Sequence, residues 1–193
     1  MPRTTTSPRR TNQVRIIGGQ WKRTPLPVAD RPGLRPTPDR VRETLFNWLG
    51  QDLSGWHCVD AFAGTGALGL EAASRGAADV LLVEAEGALV DQIRAIVRKL
   101  DAGNVRIQRG NALSVLASLP AGSVDLVFLD PPFESDLFDK ALAAARPALK
   151  EGGFVYLEAP AAWEGEALAR HGLEAVRYLK AGAVHGHLLR RTA

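Results

Sequence analysis

From Gly50 onward the sequence alternates short apolar runs with amphipathic stretches, and this constrains the fold more than any other feature of the chain. The runs occupy residues 58–62, 80–84, 105–108, 124–129 and 154–158. They are too short for buried helices and rich in Val, Leu, Ile and Phe, the residues that pack well on a pleated surface. Between them lie stretches of helical periodicity near 67–75, 87–101, 112–118 and 135–149. The second places Leu89, Ile93, Ile96, Val97 and Leu100 on one face. Strands that alternate with helices need crossover connections, so the sheet is mostly parallel and covered on both faces. The last two runs, 173–179 and 183–191, have no helix between them and read as an antiparallel pair around Gly182. The expected architecture is therefore α/β: a doubly wound, mostly parallel Rossmann-like sheet of about seven strands that ends in an antiparallel hairpin. A length of 193 residues suits one such domain.

Ahead of the alternating part lies an arm of different character. Residues 1–45 hold 10 basic and 3 acidic side chains, and the remainder holds 14 basic and 18 acidic, so a basic arm is joined to a mildly acidic body. That is an electrostatic footprint for a polyanion. We expect a disordered basic tail over residues 1–13, a basic arm or hairpin over 14–36 punctuated by Gly18-Gly19 and Pro25-Leu26-Pro27, and the main domain over 37–193. A helix should start at Thr37-Pro38-Asp39, with Thr37 as its cap and Pro38 in the first turn. Trp21 lies among Arg15, Lys22 and Arg23, where an aromatic can stack on a base while cations hold phosphates. No apolar stretch approaches the length of a membrane span, and the first ten residues lack the apolar core of a secretion signal. Cys58 is the only cysteine, which excludes an intrachain disulfide and fits a cytoplasmic setting. His185 and His187 have no nearby acid or cysteine, and no metal is expected.

In open α/β sheets ligands bind beyond the carboxyl ends of the strands, so those ends carry the functional reading. The first is Asp60-Ala61-Phe62-Ala63-Gly64-Thr65-Gly66-Ala67-Leu68-Gly69, a strand running through a glycine turn into a helix. Gly64-x-Gly66-x-x-Gly69 with Glu84 following at 20 residues would suit a nicotinamide dinucleotide, although Asp60 and the Phe-Ala pair before the turn are foreign to that fingerprint. Glu84 ends the second strand, where it can accept both hydroxyls of a ribose or stand as an ordinary exposed acid. Asn111, after the third, can meet an adenine edge or cap the next helix. The fourth end, Asp130-Pro131-Pro132-Phe133, is the sharpest signal. Two prolines remove two amide donors beside a carboxylate, leaving a cluster of acceptors that suits an exocyclic amino group, and Phe133 can stack on the ring that carries it. A rigid turn with a buried aromatic is the plainer reading.

The combination of Asp60-x-Phe62-x-Gly64-x-Gly66, Glu84 and Asp130-Pro131-Pro132-Phe133 resembles the class I S-adenosylmethionine-dependent amino-methyltransferases. The upstream segments Arg15-Ile16-Ile17-Gly18-Gly19-Gln20-Trp21-Lys22 and 34–47 are similar to the bacterial ribosomal RNA small-subunit methyltransferase D family. The resemblance covers residues 14–158. It implies S-adenosylmethionine as cofactor and the N2 amino group of a guanine in small-subunit (16S) ribosomal RNA as methyl acceptor. The partner would be that RNA or an assembling 30S particle, and the protein a monomer. It further implies that the methionine part lies over Gly64 and Gly66 near Asp60, Phe62 and Ala63, the ribose on Glu84, and the adenine beside Ala85 and Ala112 with Asn111 at its edge. Asp130, Pro131, Pro132 and Phe133 would then face the methyl group, while Arg15, Trp21, Lys22, Arg23, Arg35 and Arg40 hold the RNA. Two rivals stay open: a DNA adenine or cytosine amino-methyltransferase, which shares the Asp-Pro-Pro-aromatic chemistry, and a nucleic-acid-binding protein without catalysis.

Overall fold

In the computed structural model, which describes residues 13–133 and 136–193, the alternating pattern resolves into a seven-stranded sheet. After the small hairpin of β1 (Gln13–Arg15) and β2 (Pro25–Pro27) comes α1 (Asp39–Leu49). There follow β3 (His57–Asp60), α2 (Ala67–Ser74), β4 (Asp79–Glu84), α3 (Gly87–Lys99), β5 (Val105–Arg109), α4 (Ala112–Ser118) and β6 (Val124–Leu129). The chain continues through α5 (Leu137–Ala145), a 3-10 turn at Arg146–Ala148, β7 (Leu149–Ala159), the short α6 (Glu166–Ala169), β8 (Leu173–Ala181) and β9 (Val184–Arg191). The sheet order is β5-β4-β3-β6-β7-β9-β8, parallel through β7 and antiparallel over the final pair. The order reverses direction between β3 and β6, which is where a doubly wound sheet opens a crevice at its carboxyl edge.

Strand alternation divides the core in two. Cys58, Val80, Leu82, Leu126, Phe128 and Tyr156 face the cluster built with α1, α2 and α3. Val59, Leu81, Val83, Val127, Leu129, Val155 and Leu157 face α4, α5 and α6. The amphipathic stripe of α3 is as its periodicity predicts, with Leu89, Ile93 and Ile96 buried and Val97 and Leu100 packed at the margin.

The basic hairpin is fixed to this body. Val14, Ile16 and Leu26 are buried in the first cluster. Glu71, fully buried in α2, accepts hydrogen bonds from the amides of Ile17 and Gly18, from Arg42 of α1 (3.0 Å) and from Arg75 (2.9 Å). Arg42 is itself fully buried and also donates to the carbonyls of Thr37 and Arg15. A buried carboxylate is tolerated only when its lone pairs are satisfied, and here the satisfying donors come from three separate segments. Gly19 is required at the same place: its φ is +75°, and a Cβ there would lie 1.9 Å from the Ser74 carbonyl oxygen.

Four expectations change. The tail read over 1–13 lies outside the described residues except for Gln13, which begins β1. Thr37 does not cap α1: Pro38 holds the cap position without a side-chain bond, and the Thr37 hydroxyl instead donates to Glu158 at 2.6 Å. The helix begins at Asp39, one residue too late for Thr37 to hold the cap position. The helix read over 135–149 closes at Ala145, where Pro147 forces the 3-10 turn. The strand read from 154 begins at Leu149, with Gly152-Gly153 inside β7 where its register with β6 shifts.

Candidate active site

Three carboxylates converge at the carboxyl edge of the sheet, on the face that α1 covers. Asp60 is the last residue of β3 and pairs in register with Phe128, which in turn pairs with Tyr156. One pair further on, Leu129 aligns with Leu157, so Asp130 and Glu158 follow side by side at the ends of neighbouring strands. Asp60 is almost fully buried. Its Oδ2 accepts the Gly69 amide at 3.0 Å, while Oδ1 has no hydrogen-bond partner. Burial pushes the Asp60 carboxyl up to about 7, with Glu84 and Glu158 adding to the rise and the amides of Gly69 and Phe62 opposing it. Asp130 is raised well above the usual carboxylate range by burial, then by Glu158 and Asp60. Glu158 is raised by burial, in opposition to hydrogen bonds from Thr37 and Tyr156 and to the charge of Arg42. Such a cluster is costly without a ligand and favours a cationic one. It does not form a metal site: among the described residues no group of three or more His, Cys, Asp or Glu is arranged to hold a metal ion.

The glycine turn lies beside these acids. Gly64 and Gly66 have φ of +55° and +80°, and the atoms nearest to a Cβ at either are side-chain tips of Leu34 and Leu70 at 3.2 Å. The turn therefore has room for little beyond glycine, and it leads directly into the N-terminus of α2. Phe62 is half-buried against the second core cluster and Ala63 is buried. Glu84 is held in place by two amides, Gly64 N to Oε2 at 2.8 Å and Glu86 N to Oε1 at 2.9 Å. Each oxygen keeps a lone pair for a diol. Ala85 is exposed and Ala112 is buried at the start of α4. Asn111 does cap that helix: its Oδ1 accepts the Ser114 amide at 3.1 Å, leaving only the Nδ2 amino group for an adenine edge. Pro131 is buried, Pro132 exposed, and Phe133 half-buried against the second cluster.

These residues fit S-adenosylmethionine on the strength of one feature above all, the unpartnered Asp60 Oδ1. An unpartnered buried carboxylate oxygen beside a glycine turn is the complement of an ammonium group, whose charge would favour the ionised form of Asp60. Gly69 adjusts its position: a Cβ there would lie 2.1 Å from Leu82 Cδ2 and 3.1 Å from Asp60 Cβ. Gly69→Ala should therefore cost about 1–3 kcal/mol of stability by overpacking, measured by urea unfolding, and weaken cofactor binding.

The basic residues divide into two groups. Arg35 and Arg40 are exposed and flank Thr37, which touches Glu158. Arg31, at the same end, pairs with Glu86. Lys22 and Arg23 are exposed at the tip of the hairpin, and Trp21, half-buried against the core, is bound through its amide to Ser74 Oγ at 3.0 Å. Ser74 ends α2, so Trp21 lies about 12 Å along the helix from the glycine turn. Arg15 is exposed on β1.

Sequence reasoning did not select Glu158, Tyr156 or Thr37. The available signal was the position of Glu158 at the carboxyl end of a fifth strand, the criterion that selected the other four ends. His185 and His187 have structural partners: Tyr178 Oη lies 2.6 Å from His185 Nδ1, and the buried His187 accepts the Trp163 amide through Nε2 at 2.9 Å.

The sequence and the fold match those of known proteins. The family model described as Conserved hypothetical protein 95 matches residues 14–190. Ribosomal RNA small subunit methyltransferase D of Escherichia coli K12 is 50% identical over 132 residues, which span 68% of this chain and 66% of that protein. The protein of the same name from Haemophilus influenzae Rd is 38% identical over 157 residues, 79% of this chain and 81% of its own. A solved structure of Escherichia coli yhhF, described as a candidate methyltransferase, superposes with a TM-score of 0.81 at 41% identity, over 94% of this chain and 99% of that one. With the glycine turn, the acidic cluster and the clamped hairpin in one chain, and with relatives matched across nearly its whole described length, the protein belongs to the ribosomal RNA small-subunit methyltransferase D family.

Proposed function

We propose that this protein transfers a methyl group from S-adenosylmethionine to the exocyclic N2 amino group of a guanine in small-subunit ribosomal RNA. The observation that carries this reading is the position of Asp130. Its carboxyl group directly follows β6, beside the strand that ends in Asp60, and is acted on by the charges of Glu158 and Asp60. When bound, S-adenosylmethionine would supply an electrophilic methyl group whose bond to sulfur breaks as the bond to nitrogen forms, leaving a neutral thioether. Asp60 and the turn would hold its amino-acid end, Glu84 its ribose, and Asp130 the incoming amine. Hydrogen bonding from the amine to Asp130 draws its protons away from the ring and localises the nitrogen lone pair, which then lies in line with the methyl group. Loss of the amine's proton follows attack, and a carboxylate whose affinity for protons is raised by burial is well placed to receive it.

The two groups of cations support a substrate that is large and polyanionic. Arg35 and Arg40 are exposed on either side of Thr37, whose hydroxyl reaches Glu158, and Lys22 with Arg23 extends the positive surface along the hairpin. Phosphate contacts of this kind hold the RNA while the pocket reads the base, and an unpaired guanine reaches the pocket at the least unstacking cost. Arg35→Ala and Arg40→Ala should each lower the slope of log affinity against log salt by roughly 1, measured by filter binding of small-subunit RNA between low and physiological salt. An unchanged slope in both would remove them from the interface.

Labelled S-adenosylmethionine offered with small-subunit particles, free ribosomal RNA and duplex DNA, followed by nucleoside analysis, tests the reading. Label in N2-methylguanine from RNA or particles supports it. Label in N6-methyladenine or N4-methylcytosine from DNA replaces it with the DNA amino-methyltransferase reading, and no label in any nucleoside favours a binding protein.

A further inference from the structure

Glu158 is the carboxylate of the cluster that side-chain hydroxyls hold. Its Oε1 accepts two hydroxyls, Thr37 Oγ1 at 2.6 Å and Tyr156 Oη at 3.0 Å, and its Oε2 makes no hydrogen bond among the described residues. Tyr156 is fully buried two residues earlier on the same strand, and Thr37 is buried on the segment that closes over the site. The two hydroxyls, one from the same strand and one from the segment before α1, both hold Oε1. Oε2 is therefore a preorganised acceptor next to Asp130, at the adjoining strand end. Nothing in the chemistry of methyl transfer to an amine requires a second buried acid there.

A guanine does. Its Watson–Crick edge presents N1–H immediately beside the N2 amino group, so two neighbouring acceptors meet two neighbouring donors. In adenine the atom next to the N6 amine is N1, an acceptor, and in cytosine the atom next to the N4 amine is N3, also an acceptor. Either would face Oε2 with lone pair against lone pair and leave a buried charge unpaired. We propose that Glu158 is the specificity residue of the site: Oε2 accepts guanine N1–H while Asp130 holds the N2 amine, with Thr37 and Tyr156 as its positioning residues. This rests on the guanine-N2 reading above. It also gives Thr37 a function: the hydroxyl that leaves the helix cap ties the stem of the basic arm to the group that reads the base.

The base 2-aminopurine separates this idea from a structural role. It carries the same amine, but its N1 is an acceptor. The full-length protein is given small-subunit RNA whose mapped acceptor guanine is either retained or replaced by 2-aminopurine through splinted ligation, and labelled methyl transfer is followed in single turnover. The parent protein should methylate guanine at least roughly 100-fold faster than 2-aminopurine. In Glu158→Gln, whose amide can donate to N1, that ratio should fall below about tenfold, with cofactor affinity within about twofold of the parent. Thr37→Val, which keeps the carboxylate and nearly the same volume, should reduce the ratio by about three- to tenfold, and it carries the test should Glu158→Gln lose its fold. A parent protein that accepts 2-aminopurine as readily as guanine overturns the proposal, as does a parental ratio retained in both variants. Absence of N2-methylguanine with the unmodified RNA would overturn the guanine-N2 reading and this proposal together, a result distinct from a changed ratio.

Discussion

Replacing Asp130 with asparagine is expected to lower methyl transfer by roughly 10²- to 10⁴-fold while cofactor affinity stays within about tenfold of the parent. The change preserves volume at a buried strand end, so the effect reports chemistry and not packing. An asparagine amide group points donors at a substrate amine that also carries donors, and the remaining amide oxygen is a poor acceptor of the proton that must leave. Because the carboxylate acts on the amine as the bond to the methyl forms, the loss should appear in kcat more than in KM. Asp130 also contributes to the mutual repulsion of the cluster, since burial, Glu158 and Asp60 raise it in that order. The variant should therefore melt no lower than the parent. Equilibrium binding of S-adenosylmethionine, single-turnover transfer and thermal unfolding on one preparation check all three points. Turnover at the parental rate would remove Asp130 from the reaction and leave the pocket as a cofactor site of other purpose.

How far the sequence could be read follows from the kind of interaction that places each residue. Alternation between period 2 and period 3.6 is local, and it located β3 to β6, α2 to α4 and the closing hairpin to within a few residues. The positions of the glycine turn, Glu84 and Asp130 at the ends of β3, β4 and β6 were legible because the strands themselves are. The residues that escaped are placed by contacts remote in the chain. Thr37 meets Glu158 across 121 positions, and Glu71 meets Ile17 across 54. At Thr37, the local capping chemistry lies one residue ahead of the cap position, and the hydroxyl meets a buried carboxylate that no local pattern announces. β7 likewise starts ahead of its apolar run, taking in Gly152-Gly153 by shifting its register with β6. The hairpin shows the same limit. Its positive charge is obvious in the sequence, whereas its attachment depends on Arg42, Glu71 and Arg75, three ordinary helix-surface residues until the fold buries them together.

Asp60→Asn should have opposite effects on stability and function, and each effect should be large. Burial raises the Asp60 carboxyl to about 7 from its ordinary 3.8, so between those values the native chain keeps a proton that the unfolded chain has released. Stability therefore falls as pH rises from about 4 to about 7 and stays reduced above that range, with Asp130 and Glu158, both also raised, acting in the same direction. By linkage the Asp60 share is on the order of 4 kcal/mol at pH 8, which an uncharged asparagine would not incur. Its amide oxygen can still accept the Gly69 amide. In a chain of this length that relief corresponds to a melting temperature higher by on the order of 10 °C, a gain that should shrink towards zero near pH 4. The cost falls on the ligand: without the charge on Oδ1, an ammonium group loses a charge-assisted hydrogen bond, and S-adenosylmethionine should bind about 10- to 100-fold more weakly. Melting curves from pH 4 to 8, with and without the cofactor, test both halves together, because added cofactor should raise the parent's melting temperature far more than the variant's. A variant less stable than the parent at pH 8 would mean that the Asp60 charge is compensated within the protein itself. An unchanged cofactor affinity would mean that the unpartnered oxygen does not meet the amino group. If both effects appear, the acidic cluster is a store of destabilisation that ligand binding relieves, and the fold tolerates it because α1, the hairpin and the Glu71 network hold the surrounding body in place.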